Sequence, residues 1–196
     1  GALCGSVPQW TLAFNVATLS VLAVIKPLAG AAPADPSVAI GVSDFLCAPL
    51  VGVSQIFVVN DPIAGAMMLG AIGFYSPACA AFTLGGSAIG AATGAALGAA
   101  PSEISMGLWG FNPALTSLAV SVFFVPNTAM YGLAGGGAVA TAALFGGSKM
   151  AMAGALGTPV LTLPFCAVAS ACYFAPRVLP QVLLAASPHS PEKNTP

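Results

Sequence analysis

Long stretches of this chain carry no charge at all. None lies between Asp61 and Glu103, none between Glu103 and Lys149, and none between Lys149 and Arg177. Each gap is longer than the about 20 helical residues that cross a hydrocarbon core of about 30 Å. Lys26, Lys149, Arg177 and Lys193 are the only cations; Asp35, Asp44, Asp61, Glu103 and Glu192 are the only acids. That is 5% charged residues, where soluble domains carry about 25%, so a soluble body of this size could not wet its surface. The chain reads as an all-α polytopic membrane protein. A net charge of −1 argues against a nucleic-acid partner. The five cysteines form no spaced metal pattern and are read as small buried hydrophobes, with no metal or cofactor expected. The chain opens "GALCGSVPQW" without a signal peptide and enters an apolar run at once. An upstream part of a longer protein is therefore expected.

Residues 11–29 form the first apolar segment, closed by Lys26-Pro27 and a loop over 30–41 whose prolines break helix. "VSDFLCAPLVGVSQIFVVNDP" (42–62) is apolar but interrupted by Asp44, Pro49 and Gln55, and predicts a short tilted or re-entrant helix near 42–58. Non-helical backbone at membrane depth survives only where it lines a cavity or is buried in protein. Five crossings follow, at about 62–82, 84–100, 107–125, 128–147 and 151–176, which with 11–29 make six long membrane helices. Gly86, Gly90, Gly94 and Gly98 recur every fourth residue. They give one helix a bare face for a close neighbour, within the protomer or between subunits. The tail 177–196 is rich in proline and polar residues and reads as disordered. Charge bias sets no orientation, since the cations divide evenly between the two sides.

The five crossings from residue 62 onward hold no ionisable residue, which argues against a proton relay and leaves passive movement of a neutral solute, or no transport. "NPA" (112–114) raises an aquaporin-like channel as an alternative. It occurs once, and no Arg follows it in "LTSLAV".

Several motifs taken together carry more. "GVSQIFVVNDPIAG", "GLWGFNPALTSLA" and "LGTPVLTLPFC", in this order and spacing, resemble the second half of a urea transporter over nearly all of residues 40–176. The opening "WTLAFN" (10–15) resembles the phrase that closes the family's first half. The resemblance implies half of an inverted-repeat urea-channel fold with a re-entrant pore helix and a broken last helix. Residues 1–29 would be the last helix of the first repeat, 30–41 the inter-repeat loop, 42–176 the second repeat and 177–196 the tail. It implies a transporter rather than an enzyme: urea passing in single file between apolar walls, along a ladder of oxygens. It also implies a homotrimer in the bilayer of the plasma membrane, with a cytoplasmic C-terminus. Gln55 matches the ladder and entrance position, Ile56 and Val58 slot-lining neighbours, Phe111 and Leu115 the walls, and Thr11 and Thr162 a central pair. Val58 stands where some members carry an aromatic clamp, so the adjacent Phe57 is a candidate for that role. A non-conducting membrane subunit, or a degenerate copy keeping only the fold, is the alternative.

The physics of the solute makes similar demands. Stripping water from an unpaired amide-like group costs roughly 2–7 kcal/mol, so a plain apolar hole would reject urea. Thr162 offers a hydroxyl oxygen. Pro164 lacks an N–H, which predicts that the carbonyl of Val160 is freed from helical pairing as a second acceptor. Thr162 alone could equally bond back to its own helix. Phe111 and Leu115 are one helical turn apart and predict a shared face. Thr11 and Thr162 are expected at mid-depth, related by a pseudo-two-fold axis in the membrane plane. The first copy departs from the pattern in having Ala13 where the second has Pro164, and "NDP" (60–62) inverts the usual Asp-Asn order.

Overall fold

The structure, a computed structural model, describes residues 7–25, 41–155 and 157–196. Residues 30–40 of the predicted loop 30–41, Asp35 among them, lie outside the described residues, as does Lys26 before the loop. The helices are α1 (Leu12–Ile25), α2 (Val42–Ser54), α3 (Pro62–Tyr75), α4 (Pro77–Ala96), α5 (Pro101–Ser105), α6 (Phe111–Phe123), α7 (Thr128–Ala155) and α8 (Leu163–Tyr173). Among the described residues there is no strand, only one antiparallel bridge between Phe124 and Leu184.

The short element near 42–58 is present. α2 runs into a 3-10 turn over Gln55–Phe57, and Val58 ends it in the left-handed region at φ 61°. α3 then departs at 76° to α2. The inverted Asn60-Asp61-Pro62 order makes a sound helix start. Asp61 Oδ1 accepts from the N–H of Ala64 at 2.7 Å, and Pro62 occupies the first turn, where its missing N–H costs nothing.

The expected set of six long helices is corrected. Among the described residues two helices, Pro77–Ala96 and Thr128–Met152, are long and apolar enough to span a membrane, and the bent pair α2–α3 qualifies only jointly. The segment 62–82 breaks at Ser76 because a residue before proline is driven out of the α region. Ser76 is extended (φ −155°, ψ 108°), ends α3, and caps α4 by accepting from the N–H of Cys79. The crossing expected at 84–100 therefore begins at Pro77. The break expected between 147 and 151 does not exist, since α7 contains no proline. Lys149 consequently lies inside a helix rather than between crossings. There it pairs with Glu103, which also accepts from the indole Nε1 of Trp109 at 3.1 Å. The segment 151–176 is divided by non-helical backbone over 157–162, with α8 starting only at Leu163.

The glycine stripe is an internal packing face. A Cβ on Gly86 would sit 2.6 Å from the carbonyl oxygen of Pro113, and one on Gly90 2.3 Å from that of Trp109. One on Gly94 would sit 2.7 Å from the Trp109 ring. α4 and the start of α6 thus touch backbone to backbone. Gly98 takes no part in this contact and turns the chain at φ +77°. Buried hydroxyls tie α6 to α7: Thr116 meets Thr141 at 2.8 Å, and Ser117 donates to the carbonyl of Ala134.

The tail is not disordered. Val182, Ala185, Ser190 and Asn194 are buried. The Asn194 amide donates to the carbonyls of Ser121, Val122 and Phe124. Glu192 accepts from Ser76 Oγ and the N–H of Ala78. Composition suggested disorder, but helix ends carry unsatisfied backbone groups. The tail supplies an amide to the last turn of α6 and a carboxylate to the first turn of α4.

Candidate functional site: a cleft beside a threonine pair

The phrases Trp10-Thr11-Leu12 and Leu161-Thr162-Leu163 fold alike. Trp10 and Leu161 are both left-handed, at φ 49° and 54°, and in each copy the helix begins at the residue after the threonine. Non-glycine residues seldom adopt such angles, which cost of order 1–3 kcal/mol and persist where the surroundings fix them. For Leu161 the clamp is Asn112, fully buried at the start of α6. Its Nδ2 donates to the Leu161 carbonyl at 3.0 Å, and its Oδ1 accepts from the N–H of Phe165 at 3.2 Å. The asparagine of "NPA" is thus spent on holding the entry to α8. For Trp10, the indole Nε1 donates to Ser170 Oγ at 3.0 Å, and its ring meets Phe123, Phe165 and Tyr173 edge to face.

The two turns bring the threonines together. Thr11 Oγ1 and Thr162 Oγ1 are 2.7 Å apart. Thr162 also reaches Asn15, through its N–H at 3.0 Å and its hydroxyl at 3.1 Å. Thr11 Oγ1 stands 3.3 Å from Cys166 Sγ.

Beside this pair lies a cleft of about 400 Å³. It gathers Gln55, Ile56 and Val58 from the end of the α2 turn, Phe111 from α6, and Thr162. Its walls also include Phe14, Leu108 and Phe145, the last held edge to face against Phe111 and Trp109. Gln55 donates one N–H of its amide to the carbonyl of Met106 at 2.9 Å, and its amide oxygen is free to accept. Thr158 lines the same cleft, and its hydroxyl is buried without a hydrogen-bond partner. Lys149 stands on the wall with Glu103 as its counter-ion.

Other predicted site residues fall elsewhere. Phe57 does not line the cleft and is 67% exposed. Leu115 does not share the cleft with Phe111. One turn further along α6, it packs with Trp10 against the cluster of Phe165, Cys166 and Ala169. Thr11 does not line the cleft but backs Thr162. The carbonyl of Val160 is not freed by Pro164. That proline lies in the first turn of α8, where its missing N–H strands no carbonyl, and Val160 accepts from the N–H of Leu163 at 3.4 Å.

Sequence reasoning missed Asn15, Asn112, Phe145, Lys149 and Thr158. Two had a positional signal: Asn15 follows Thr11 by four residues as Cys166 follows Thr162, and Thr158 precedes Thr162 by one helical turn's spacing. Phe145 and Lys149 had none, because they come from a helix remote in sequence. Gln55, Thr158 and Thr162 bring side-chain oxygens to a cleft whose other lining residues are mostly apolar. Among the described residues no group of His, Cys, Asp and Glu could hold a metal.

A family profile described as "Urea transporter" matches residues 5–177. Curated relatives named "Urea transporter 1" from Ovis aries and Capra hircus are each 34% identical to this chain over 116 residues. The same name from Rattus norvegicus matches at 34% over the same length. In each case the match covers 59% of this chain and 30% of the relative, so the chain spans well under half of the proteins it resembles.

Proposed function

From the premise that this chain belongs to the urea transporter family, we propose that it supplies one side of a passive, channel-type path for urea through a membrane. The observation that carries this reading is the cleft in which Gln55, Phe111 and Thr162 meet, with the Thr11 hydroxyl 2.7 Å behind Thr162. Urea is planar and uncharged, with N–H donors along its edges and apolar-tolerant faces. Phe111, Phe145 and Ile56 can press the faces. The oxygens of Gln55, Thr158 and Thr162 can take donors from the edges in turn, so that urea moves in single file without leaving a donor unpaired. An unpartnered buried hydroxyl costs about 1–3 kcal/mol, and the buried Thr158 oxygen is therefore poised to gain a partner from a solute. The matched turns at Trp10 and Leu161 support α1 as the last helix of one repeat, and 42–176 as a second repeat of inverted sense. The reading extends to a homotrimer of the intact protein in the plasma membrane, with a cytoplasmic C-terminus. Lys149 does not make the path a proton relay, because Glu103 already neutralises it.

The test is urea flux through the intact protein in proteoliposomes, normalised to inserted protein. Thr162→Val keeps the shape and removes the acceptor. It should lower urea permeability roughly tenfold or more, since about 1.4 kcal/mol is a factor of ten and an unpaired N–H costs about 1–3 kcal/mol. Thr162→Ser should cost much less. Flux should follow the urea gradient and ignore a protonophore. A parent protein that passes no urea under its gradient would leave the non-conducting reading in its place.

A further inference from the structure

The threonine pair closes a ring with Asn15 and Cys166, and Asn15 decides which way its hydrogens run. Asn15 is fully buried, and its amide has only one possible orientation. The Thr162 N–H can only donate, so the Asn15 atom 3.0 Å from it is the oxygen. The Thr11 carbonyl can only accept, so the atom 3.1 Å from it is the NH₂ nitrogen. Oδ1 carries no hydrogen, so the Thr162 hydroxyl, 3.1 Å away, must give it its one proton. Thr162 then has no hydrogen left for Thr11, and at 2.7 Å the Thr11 hydroxyl must be the donor of that pair. Thr11 in turn accepts from the Cys166 thiol at 3.3 Å, and Cys166 Sγ accepts from Asn15 Nδ2 at 3.5 Å. All of the hydrogens run one way around the ring. Thr162 gives its only proton to the protein, accepts one bond from Thr11, and keeps one lone pair.

We propose that Asn15 is a positioning residue that locks Thr162 as a pure acceptor, so that the cleft selects a neutral solute presenting an N–H edge. The proposal rests on the urea-path reading of this cleft. Without the Asn15 oxygen, the Thr162 hydroxyl is free to rotate and can point its proton into the path, where it meets the hydrogens of the solute. Asn15 touches no solute itself: Thr162 lines the cleft and Asn15 does not.

The experiment is a double-mutant cycle on urea flux through the intact protein in proteoliposomes. Asn15→Leu fills a similar volume but removes the oxygen, and should lower flux about tenfold. Asn15→Asp keeps an oxygen facing Thr162. Assayed at mildly acidic pH, where the buried carboxyl holds its proton, it should recover most of the flux. Because Asn15 acts through the Thr162 hydroxyl, Asn15→Leu added to Thr162→Val should cost nothing further. Should Asn15→Leu fail to insert, Asn15→Ala completes the same cycle. If Asn15→Leu conducts like the parent, or if its loss multiplies with that of Thr162→Val, the positioning role is overturned while the urea path stands. If Thr162→Val alone conducts like the parent, both fall together.

Discussion

At the scale of single residues, the cleft sets stability against passage. Thr158 carries a buried hydroxyl with no partner, a cost of about 1–3 kcal/mol to the fold. Thr158→Val should therefore leave the protein as stable or more so in a detergent melt, while urea flux falls several-fold. A drop in both, or in neither, would remove Thr158 from the proposed path. Asn112 does the opposite kind of work. Its amide is all that the buried entry to α8 has for the Leu161 carbonyl and the Phe165 N–H. Asn112→Leu strands both groups, and each loss is worth about 1–3 kcal/mol. The melting midpoint should fall markedly, with flux lost because Thr162 no longer sits at its turn. A melt unchanged in this variant would show that other contacts hold Leu161 left-handed.

At the scale of elements, the fold depends on how closely α4 approaches α6. Gly90 has the Trp109 carbonyl oxygen 2.3 Å from where a Cβ would stand, and backbone cannot swing aside as a side chain can. Gly90→Ala should force the helices apart and destabilise by about 1–3 kcal/mol. Gly132, on α7, has nothing within 4 Å of an added Cβ. Gly132→Ala should be neutral or slightly stabilising, because alanine loses less backbone entropy in a helix. Thermal melts of the two variants side by side check this, and equal melting points would mean that the glycine stripe is not a packing face. The same contact positions the cleft, since Trp109, pressed on α4, braces Phe145 on its wall.

At the scale of the whole molecule, the tail fastens one end of the bundle. Glu192 is exposed, yet its carboxyl is held down at about 2 by the N–H of Ala78, the Ser76 hydroxyl and its own backbone N–H. A carboxylate whose folded value lies below its free value of 4.5 lends stability that is complete above pH 4.5 and lost as the pH falls toward 2. A spin label at Ser187 should therefore report a docked tail at neutral pH and a mobile one as the pH drops through that window. Glu192→Gln should show looser docking already at pH 7 and little further change on acidification. Mobility identical in parent and variant at both pH values would assign the docking to the tail's other contacts, among them Asn194 on α6 and His189 on Tyr75.

Class and family were legible before any fold was known. Uncharged stretches longer than a bilayer is thick leave helices in lipid as the outcome, and "SQIFVVNDP", "WGFNPAL" and "LTLPF" mark the family because they are contiguous phrases. The sequence also placed Gln55, Ile56, Val58, Phe111 and Thr162, which share the cleft. The folded packing set where helices stop, since hydropathy is blind to the extended Ser76 before Pro77 and to the non-helical stretch before Leu163. Only it decided that the tail docks, that Leu115 faces α8, and that Lys149 sits on the cleft wall with its charge matched. Above all it decided the direction of the hydrogen-bond ring. That direction depends on Asn15 lying 3.0 Å from a backbone N–H 147 positions away in the chain. A contact of that separation leaves no local pattern, because it exists only once the two turns are brought face to face.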